Sequence, residues 1–236
     1  VVGAPTFELG LGGDPNLALT LAGGSSVTLG QVEALDFASK SGTVELLLRA
    51  DWTASPGYNP TIVADREGGP VNYSIHLMVP KNQIAFWNGA AVSFINIPEA
   101  GLTWHHFAVV FDAGNWSIYW DGKLQGTQAL ALGTNPESPC NLGSASSSGS
   151  EQWLGALDEV AFFSTALSAE AIQEHYGALM KASPKLSYEK TENQLTFSWI
   201  GTSFKLQSNA DLANPAGWQD VTGGAISPVS TTINAS

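Results

Sequence analysis

Short runs of alternating or doubly apolar residues, cut at close intervals by Gly, Asn, Asp and Pro, constrain this chain more than any other feature. Residues 43–49, 73–79, 83–87 and 105–111 are the clearest of them. A period of two sends successive side chains to opposite faces of a strand, and runs that are apolar on both faces belong to strands covered on both sides. No βαβ rhythm appears through residue 163, so the pattern predicts many short antiparallel strands in an all-β sandwich or jelly roll. Pro80-Lys81-Asn82, Ala113-Gly114-Asn115 and Asp121-Gly122 supply the expected hairpin turns.

One short helix interrupts the strands. Ser168 is placed to cap it, Glu170 lies in its first turn, and Ala171, Ile172, His175, Tyr176 and Leu179 recur at helical spacing. The pattern changes around Ala182-Ser183-Pro184, and a second alternating stretch follows that is too small to bury much apolar surface alone. The expected division is a jelly-roll domain over residues 1–181 and a small β-sandwich-like module over residues 182–236.

Nine basic against 21 acidic side chains give a net charge of −12, which argues against a nucleic-acid partner. No apolar run reaches the ~18 residues of a bilayer span, so no membrane insertion is expected. Only 13% of residues are charged, where a cytosolic domain carries about 25%. A surface made soluble by hydroxyls and amides points to an extracellular or cell-surface location. The single cysteine, Cys140, forms no intrachain disulfide and offers no metal-ligand spacing. The start, Val1-Val2-Gly3-Ala4-Pro5, reads as that of a processed or excised piece.

Catalytic chemistry finds no support in these residues. Glycoside hydrolysis needs two carboxylates about 5–9.5 Å apart; the alternating acids Asp65 and Glu67 sit beside Gly68-Gly69-Pro70 and read as a loop, and no Gly-x-Ser-x-Gly elbow is present. Gly10-Leu11-Gly12-Gly13 lacks the Lys-Ser/Thr of a phosphate loop. His105 and His106 are adjacent and face opposite ways along a strand. Asp65-Arg66-Glu67 reads as a solvated charge cluster on a loop, with ligand contact at a rim as the alternative.

Binding would show in the aromatics, because a sugar's apolar face stacks on flat rings while its hydroxyls seek amides and carboxylates. Trp52 and Tyr58 fall in a Pro/Gly loop, and Trp87-Asn88 and Gln152-Trp153 place rings and amides near turns. Trp52, Tyr58, Trp87, Asn88 and Trp153 are therefore the candidate ligand contacts, with packing as the first reading for each ring and ligand contact as the second. Trp104, Trp116, Trp120 and Trp199 lie inside strand patterns and are expected in the core. Asn72, Asn115 and Asn234 head N-glycosylation sequons. Asp158, on a strand face with Val160 and Phe162, needs a partner for its charge.

Three stretches in register, residues 103–112, 118–124 and 154–172, resemble the laminin-G-like jelly roll of the concanavalin A-like lectin and glucanase superfamily. The resemblance covers roughly residues 15–180, and residues 41–50 resemble the family's early strand with Leu47 where an aromatic is usual. It implies non-catalytic recognition of a glycan or protein. It also implies a structural calcium ion as the second reading of Asp158, with hydrogen bonding to the neighbouring loop as the first. Ala22 stands where the family often has Asp, so such an ion would rest on backbone carbonyls and water.

Residues 185–236 resemble the small β module that ends many secreted proteins of environmental bacteria, carried by residues 195–199, 204–208 and 218–223. That family usually adds a final strand, which is not seen before Ser236. The reading that follows is a secreted bacterial, non-enzymatic module that binds an extracellular glycan or protein and takes part in adhesion. One alternative is a structural unit of a fibre, self-associating by strand exchange through residues 1–9. A more distant one is an accessory domain of a polysaccharide-degrading enzyme.

Overall fold

Side-chain parity along the strands sorts the apolar residues into a shared interior and a set of outer faces. The computed structural model describes residues 3–11, 17–31, 41–133, 135, 137–180, 186–191, 193–199, 205–211, 213–214, 216–224 and 228–232. The chain divides into two units, residues 1–8 with 17–180 and residues 9–16 with 181–236.

The strands of the first unit are β1 (Thr6–Leu9), β2 (Leu17–Ala22), β3 (Val27–Gly30), β4 (Gly42–Ala50), β5 (Thr61–Asp65), β6 (Tyr73–Leu77) and β7 (Gln83–Trp87). They continue as β8 (Val92–Asn96), β9 (Trp104–Asp112), β10 (Asn115–Trp120), β11 (Lys123–Ala129), β12 (Cys140–Leu142) and β13 (Leu154–Phe163), followed by helix α1 (Ala169–Met180). Seven strands form one sheet in the order β1-β2-β13-β4-β9-β10-β11, and six form another in the order β3-β12-β5-β6-β7-β8. The chain changes sheets between β2 and β3, β3 and β4, β4 and β5, β8 and β9, β11 and β12, and β12 and β13, which is the crossing pattern of a jelly roll.

The turns follow from local residues. Ala113-Gly114 (φ 48° and 80°) closes β9 onto β10 with Asp112 opposite Asn115, and Asp121-Gly122 (φ 50° and 71°) closes β10 onto β11 with Trp120 opposite Lys123. Two consecutive residues at positive φ are what a two-residue hairpin of right-handed twist requires.

Inward residues of the two sheets meet in one core. Val44, Leu46 and Leu48 of β4 and Phe107, Val109 and Phe111 of β9 pack with Tyr73, Ile75, Leu77, Ile84 and Phe86 of the facing sheet. Aromatic pairs join the sheets: Tyr73–Phe111 at 5.4 Å, Phe86–Phe111 at 5.7 Å and Phe86–Trp116 at 5.1 Å between centroids. Trp116 and Trp120 are buried as expected, whereas Trp104 is half-buried under the Arg49 guanidinium, 5.2 Å from its ring.

The other face of the seven-stranded sheet is covered by the helix. Ile172 packs on Ala108, Val110 and Tyr119. Ser168 caps the helix, its hydroxyl accepting the Ala171 N–H at 3.2 Å. Beneath the helix the buried Glu45 carboxylate accepts hydrogen bonds from His106 Nε2 at 2.6 Å and His175 Nδ1 at 2.8 Å.

In the second unit β14 (Ser187–Lys190), β15 (Gln194–Ser198) and β18 (Val229–Thr232) form a three-stranded sheet, and β16 (Gln207–Ser208) pairs with β17 (Gln219–Asp220). Trp199 is buried there and Trp218 is exposed. The boundary residues 182–184, Phe204, the Asn234 sequon and the chain end lie outside the described residues. The segment expected as an exchangeable arm contributes β1, at the edge of the seven-stranded sheet. Asn72 is buried and its amide donates to the Asn135 carbonyl at 2.8 Å, so that sequon is closed by the fold.

Burial pushes the Glu45 carboxyl up, but the hydrogen bonds from His106 and His175 outweigh it and hold the group below its ordinary 4.5. A depressed carboxyl contributes stability that is full above its unfolded value and is lost as pH falls through the folded one. The melting temperature is therefore expected to drop as pH falls below 4.5. Glu45→Gln, which cannot ionise, should lose that part of the slope in a melting series against pH.

Candidate functional site

The outward residues of the six-stranded sheet build a groove. Since Tyr73, Ile75 and Leu77 point into the core, Ser74, His76 and Met78 point away from it. The register continues this face across the strands, with His76 opposite Ala85 and Ala85 opposite Phe94, and with Ser74 opposite Trp87 and Trp87 opposite Val92. Small residues, Ser74 and Ala85, thus alternate with large ones. The resulting cavity of about 510 Å³ is lined by Asn59, Arg66, His76, Met78, Ala85, Trp87, Val92, Phe94 and Glu151. That volume is within the ~300–1,000 Å³ of small-molecule sites.

Two loops bring charge to this face. Arg66, just after β5, lies over the Trp87 ring with its guanidinium carbon 5.3 Å from the centroid. Its Nε donates to the Ala145 carbonyl at 3.0 Å, and Nη2 pairs with Glu151 Oε2 at 2.9 Å. The partners come from a serine-rich loop that is hydrogen-bonded to itself. The Ser144 hydroxyl donates to the carbonyls of Ser146 and Ser150 at 2.8 and 2.9 Å, and Ala145 N–H to Ser150 O at 2.8 Å. Glu67 holds the same loop through Ser147 N–H at 2.7 Å and the Ser147 hydroxyl at 3.0 Å. Glu151 is fixed in the left-handed region at φ 48°, and its carbonyl accepts the Thr61 N–H at 2.8 Å.

His76 forms part of the floor. Its Nδ1 faces the Asn59 carbonyl at 3.1 Å, which can only accept, so Nδ1 carries the proton and Nε2 accepts from Ser74 Oγ at 2.8 Å. Burial lowers its pKa below the ordinary 6.5, which the Asn59 hydrogen bond and the Glu151 charge oppose and the Arg66 charge reinforces. The ring is neutral at neutral pH. The groove therefore holds one internally compensated ion pair beside an aromatic ring.

The candidate contacts divide on this geometry. Trp87 lines the groove. Asn88, next to it, is spent on its own turn, its Oδ1 accepting the N–H groups of Ala90 and Ala91 at 3.0 and 2.8 Å and its amide donating to Ala131 O at 2.9 Å. Tyr58 is half-buried, with its hydroxyl pushed up by burial, and precedes Asn59 without lining the groove itself.

Trp52 and Trp153 correct the expectation of loop rings open to a ligand. They pack edge to face at 5.2 Å in the core, and Trp153, with no exposed surface, donates its indole N–H to Arg49 O at 3.3 Å. Nearness to a turn in sequence says nothing about the long-range partner that covers a ring. Trp52 also edges a second hollow of about 390 Å³ beside Lys81. There the buried Lys81 ammonium already donates to the carbonyls of Ala50, Trp52 and Gly101, which leaves it little to offer a ligand.

Asp65-Arg66-Glu67 is likewise no solvated cluster. Asp65 is buried at the end of β5, Glu67 anchors the serine loop, and Arg66 enters the groove. A rim contact is the alternative that the sequence offers for Arg66, whereas His76, Asn59, Phe94 and Glu151 join the lining without being expected there. Alternation along residues 73–78 was the available signal for His76. Nothing local signals Glu151.

At Asp158 a bulge breaks the strand alternation, with Glu159 at φ 50°, and Asp158 Oδ1 accepts the Glu159 N–H at 2.9 Å. No group of three or more His, Cys, Asp or Glu able to hold a metal ion occurs among the described residues.

The family model described as the concanavalin A-like lectin/glucanases superfamily matches residues 21–173, and the chain belongs to that superfamily. The match does not reach residues 174–236, and the resemblance of residues 185–236 to a small β module stays an expectation. No curated protein matches the chain. Among solved structures it resembles domain 4 of AbnA, a GH43 extracellular arabinanase from Geobacillus stearothermophilus, in complex with arabinotriose. The TM-score is 0.54 at 20% identity, over 73% of this chain and 81% of that one. It also resembles the binding domain of botulinum neurotoxin DC in complex with SialylT, with a TM-score of 0.59 at 14% identity over 90% and 61% of the two chains. A third is the same toxin domain in complex with rat synaptotagmin II, with a TM-score of 0.58 at 13% identity over 92% and 62%. The chain thus spans under two thirds of these toxin domains. At such identities the likeness is one of fold, here that of lectin-like domains. No helix among the described residues is long and apolar enough to cross a membrane.

Core and groove rings should respond differently to truncation. Trp153→Ala is expected to cost about 3–5 kcal/mol in urea unfolding, as for other buried aromatics. Trp87→Ala, removing a half-buried ring from an outer face, should cost about 1 kcal/mol.

Proposed function

We propose that this chain is a non-catalytic extracellular recognition module whose outer-face groove binds a glycan. The observation that carries the reading is the Trp87 ring in a groove of about 510 Å³, with the Arg66 guanidinium over one side of the ring and paired to Glu151. A sugar presents an apolar face for the ring and hydroxyls that both donate and accept, which a carboxylate and a guanidinium satisfy together. Rigid presentation favours such a role, since the serine loop and the strand register hold these groups before any ligand arrives.

Binding without hydrolysis fits the charges. Glu151 is the single carboxylate among the groove's described lining residues, and it is paired with Arg66, whereas bond cleavage calls for two carboxylates in distinct protonation states. The complexes of the similar solved structures, with arabinotriose in one case and SialylT in another, are in keeping with a sugar ligand. A secreted or surface setting accords with the low content of charged residues.

Glycan-array screening followed by calorimetry tests the reading. A hit should bind wild-type protein saturably and lose about tenfold or more in affinity in Trp87→Ala, equal to ~1.4 kcal/mol. Trp87→Ala should retain a cooperative melt. Binding that survives Trp87→Ala unchanged would move the site elsewhere.

A further inference from the structure

Resting on the reading of this groove as a glycan site, we propose that Glu151 is its specificity-determining residue. By neutralising Arg66 it fits the groove to neutral oligosaccharides and turns away sugars that carry a carboxylate.

An arginine in a binding groove ordinarily favours carboxylates, which its fork grips through two parallel hydrogen bonds. Here Nε is taken by the Ala145 carbonyl and Nη2 by Glu151, while the guanidinium carbon lies over Trp87. A uronic or sialic acid would have to displace Glu151 or lie against it. Displacement gives up the contact between Arg66 Nη2 and Glu151 Oε2 at 2.9 Å, on a backbone that stays fixed by the left-handed conformation of Glu151 and its carbonyl's bond to Thr61 N–H. The other basic group in the lining does not compensate, since His76 commits its N–H to Asn59 O at 3.1 Å. The net charge of −12 adds a long-range bias in the same direction.

Neutral sugars meet none of these costs. A vicinal diol can donate one hydroxyl to the Glu151 carboxylate and accept from the guanidinium at the other. The face also has room for more than one unit. Phe94, 41% exposed, lies opposite Ala85 while Trp87 lies opposite Val92, so the two rings are diagonal neighbours on adjacent strands. That places the two residues roughly 7–8 Å apart. One sugar ring on Trp87 leaves Phe94 for the next, which points to an oligosaccharide rather than a monosaccharide.

Calorimetry on the full chain tests this with matched probes: neutral arabino-, xylo-, cello- and galacto-oligosaccharides against oligogalacturonate and sialyllactose. Wild-type protein should prefer a neutral member by about tenfold or more over every acidic one, dependent on Trp87. Glu151→Gln, which keeps side-chain length and the backbone bond, weakens the hydroxyl contact made by the carboxylate, and the readout is therefore the ratio of affinities: acidic over neutral should rise about tenfold relative to wild type. The double variant Arg66→Gln with Glu151→Gln should show no such gain, and melting curves confirm that each variant is folded. Acidic sugars binding wild-type protein as tightly as neutral ones, through Trp87, would overturn the proposal and leave the groove standing as a site. Unchanged discrimination in Glu151→Gln would overturn it as well. No Trp87-dependent binding by any probe would overturn both the groove reading and the proposal built on it.

Discussion

Two-residue alternation along β6 and β7 governs the rest of the first unit. Tyr73, Ile75, Leu77, Ile84 and Phe86 all face the second sheet, where Phe86 and Tyr73 lock onto Phe111 and Trp116 at centroid distances of 5.1 to 5.7 Å. A shift of either strand by one residue would turn this aromatic seam to the outside, so the register is strongly fixed. The opposite parity is fixed with it. Ser74, His76, Ala85 and Trp87 have no choice but to form the outer face, and the core's demand for large rings thereby sets where the groove lies.

Charge is brought to that face by a division of labour between neighbours in sequence. Arg66 enters the groove while Glu67 turns to the serine loop and accepts from Ser147 and Asn141. The loop in turn supplies Ala145 O and Glu151 to Arg66. Each half of the pair is therefore held by the loop that carries the other. The ion pair is partly exposed and contributes little to stability by itself. Its importance lies in orientation and in cancelling the charge that Arg66 would otherwise present beside Trp87.

Much of the fold was legible in sequence because its determinants are local. Ala113-Gly114 and Asp121-Gly122 announce their hairpins, Ser168 announces the helix, and period two announces the strands. The three family stretches fixed the jelly roll. The site was legible only where one residue carried its own signal, as Trp87 did beside a turn. Trp52 and Trp153 look alike from sequence, but each is buried by the other, a contact across 101 residues that no local pattern encodes. Glu151 joins Arg66 across 85 positions for the same reason. The bulge at Asp158 is likewise illegible, since nothing local to Glu159 signals a left-handed conformation.

The central claim is that a ligand meets the outer face of the six-stranded sheet at Trp87. The chain has eight tryptophans, so the indole N–H signals in a nitrogen-correlated NMR spectrum report on core and groove in one titration. With a bound oligosaccharide, the account predicts a saturable shift of the Trp87 indole signal while those of Trp52, Trp116 and Trp153 stay in place. A shift at Trp52 with Trp87 unmoved would contradict it and place recognition at the hollow beside Lys81.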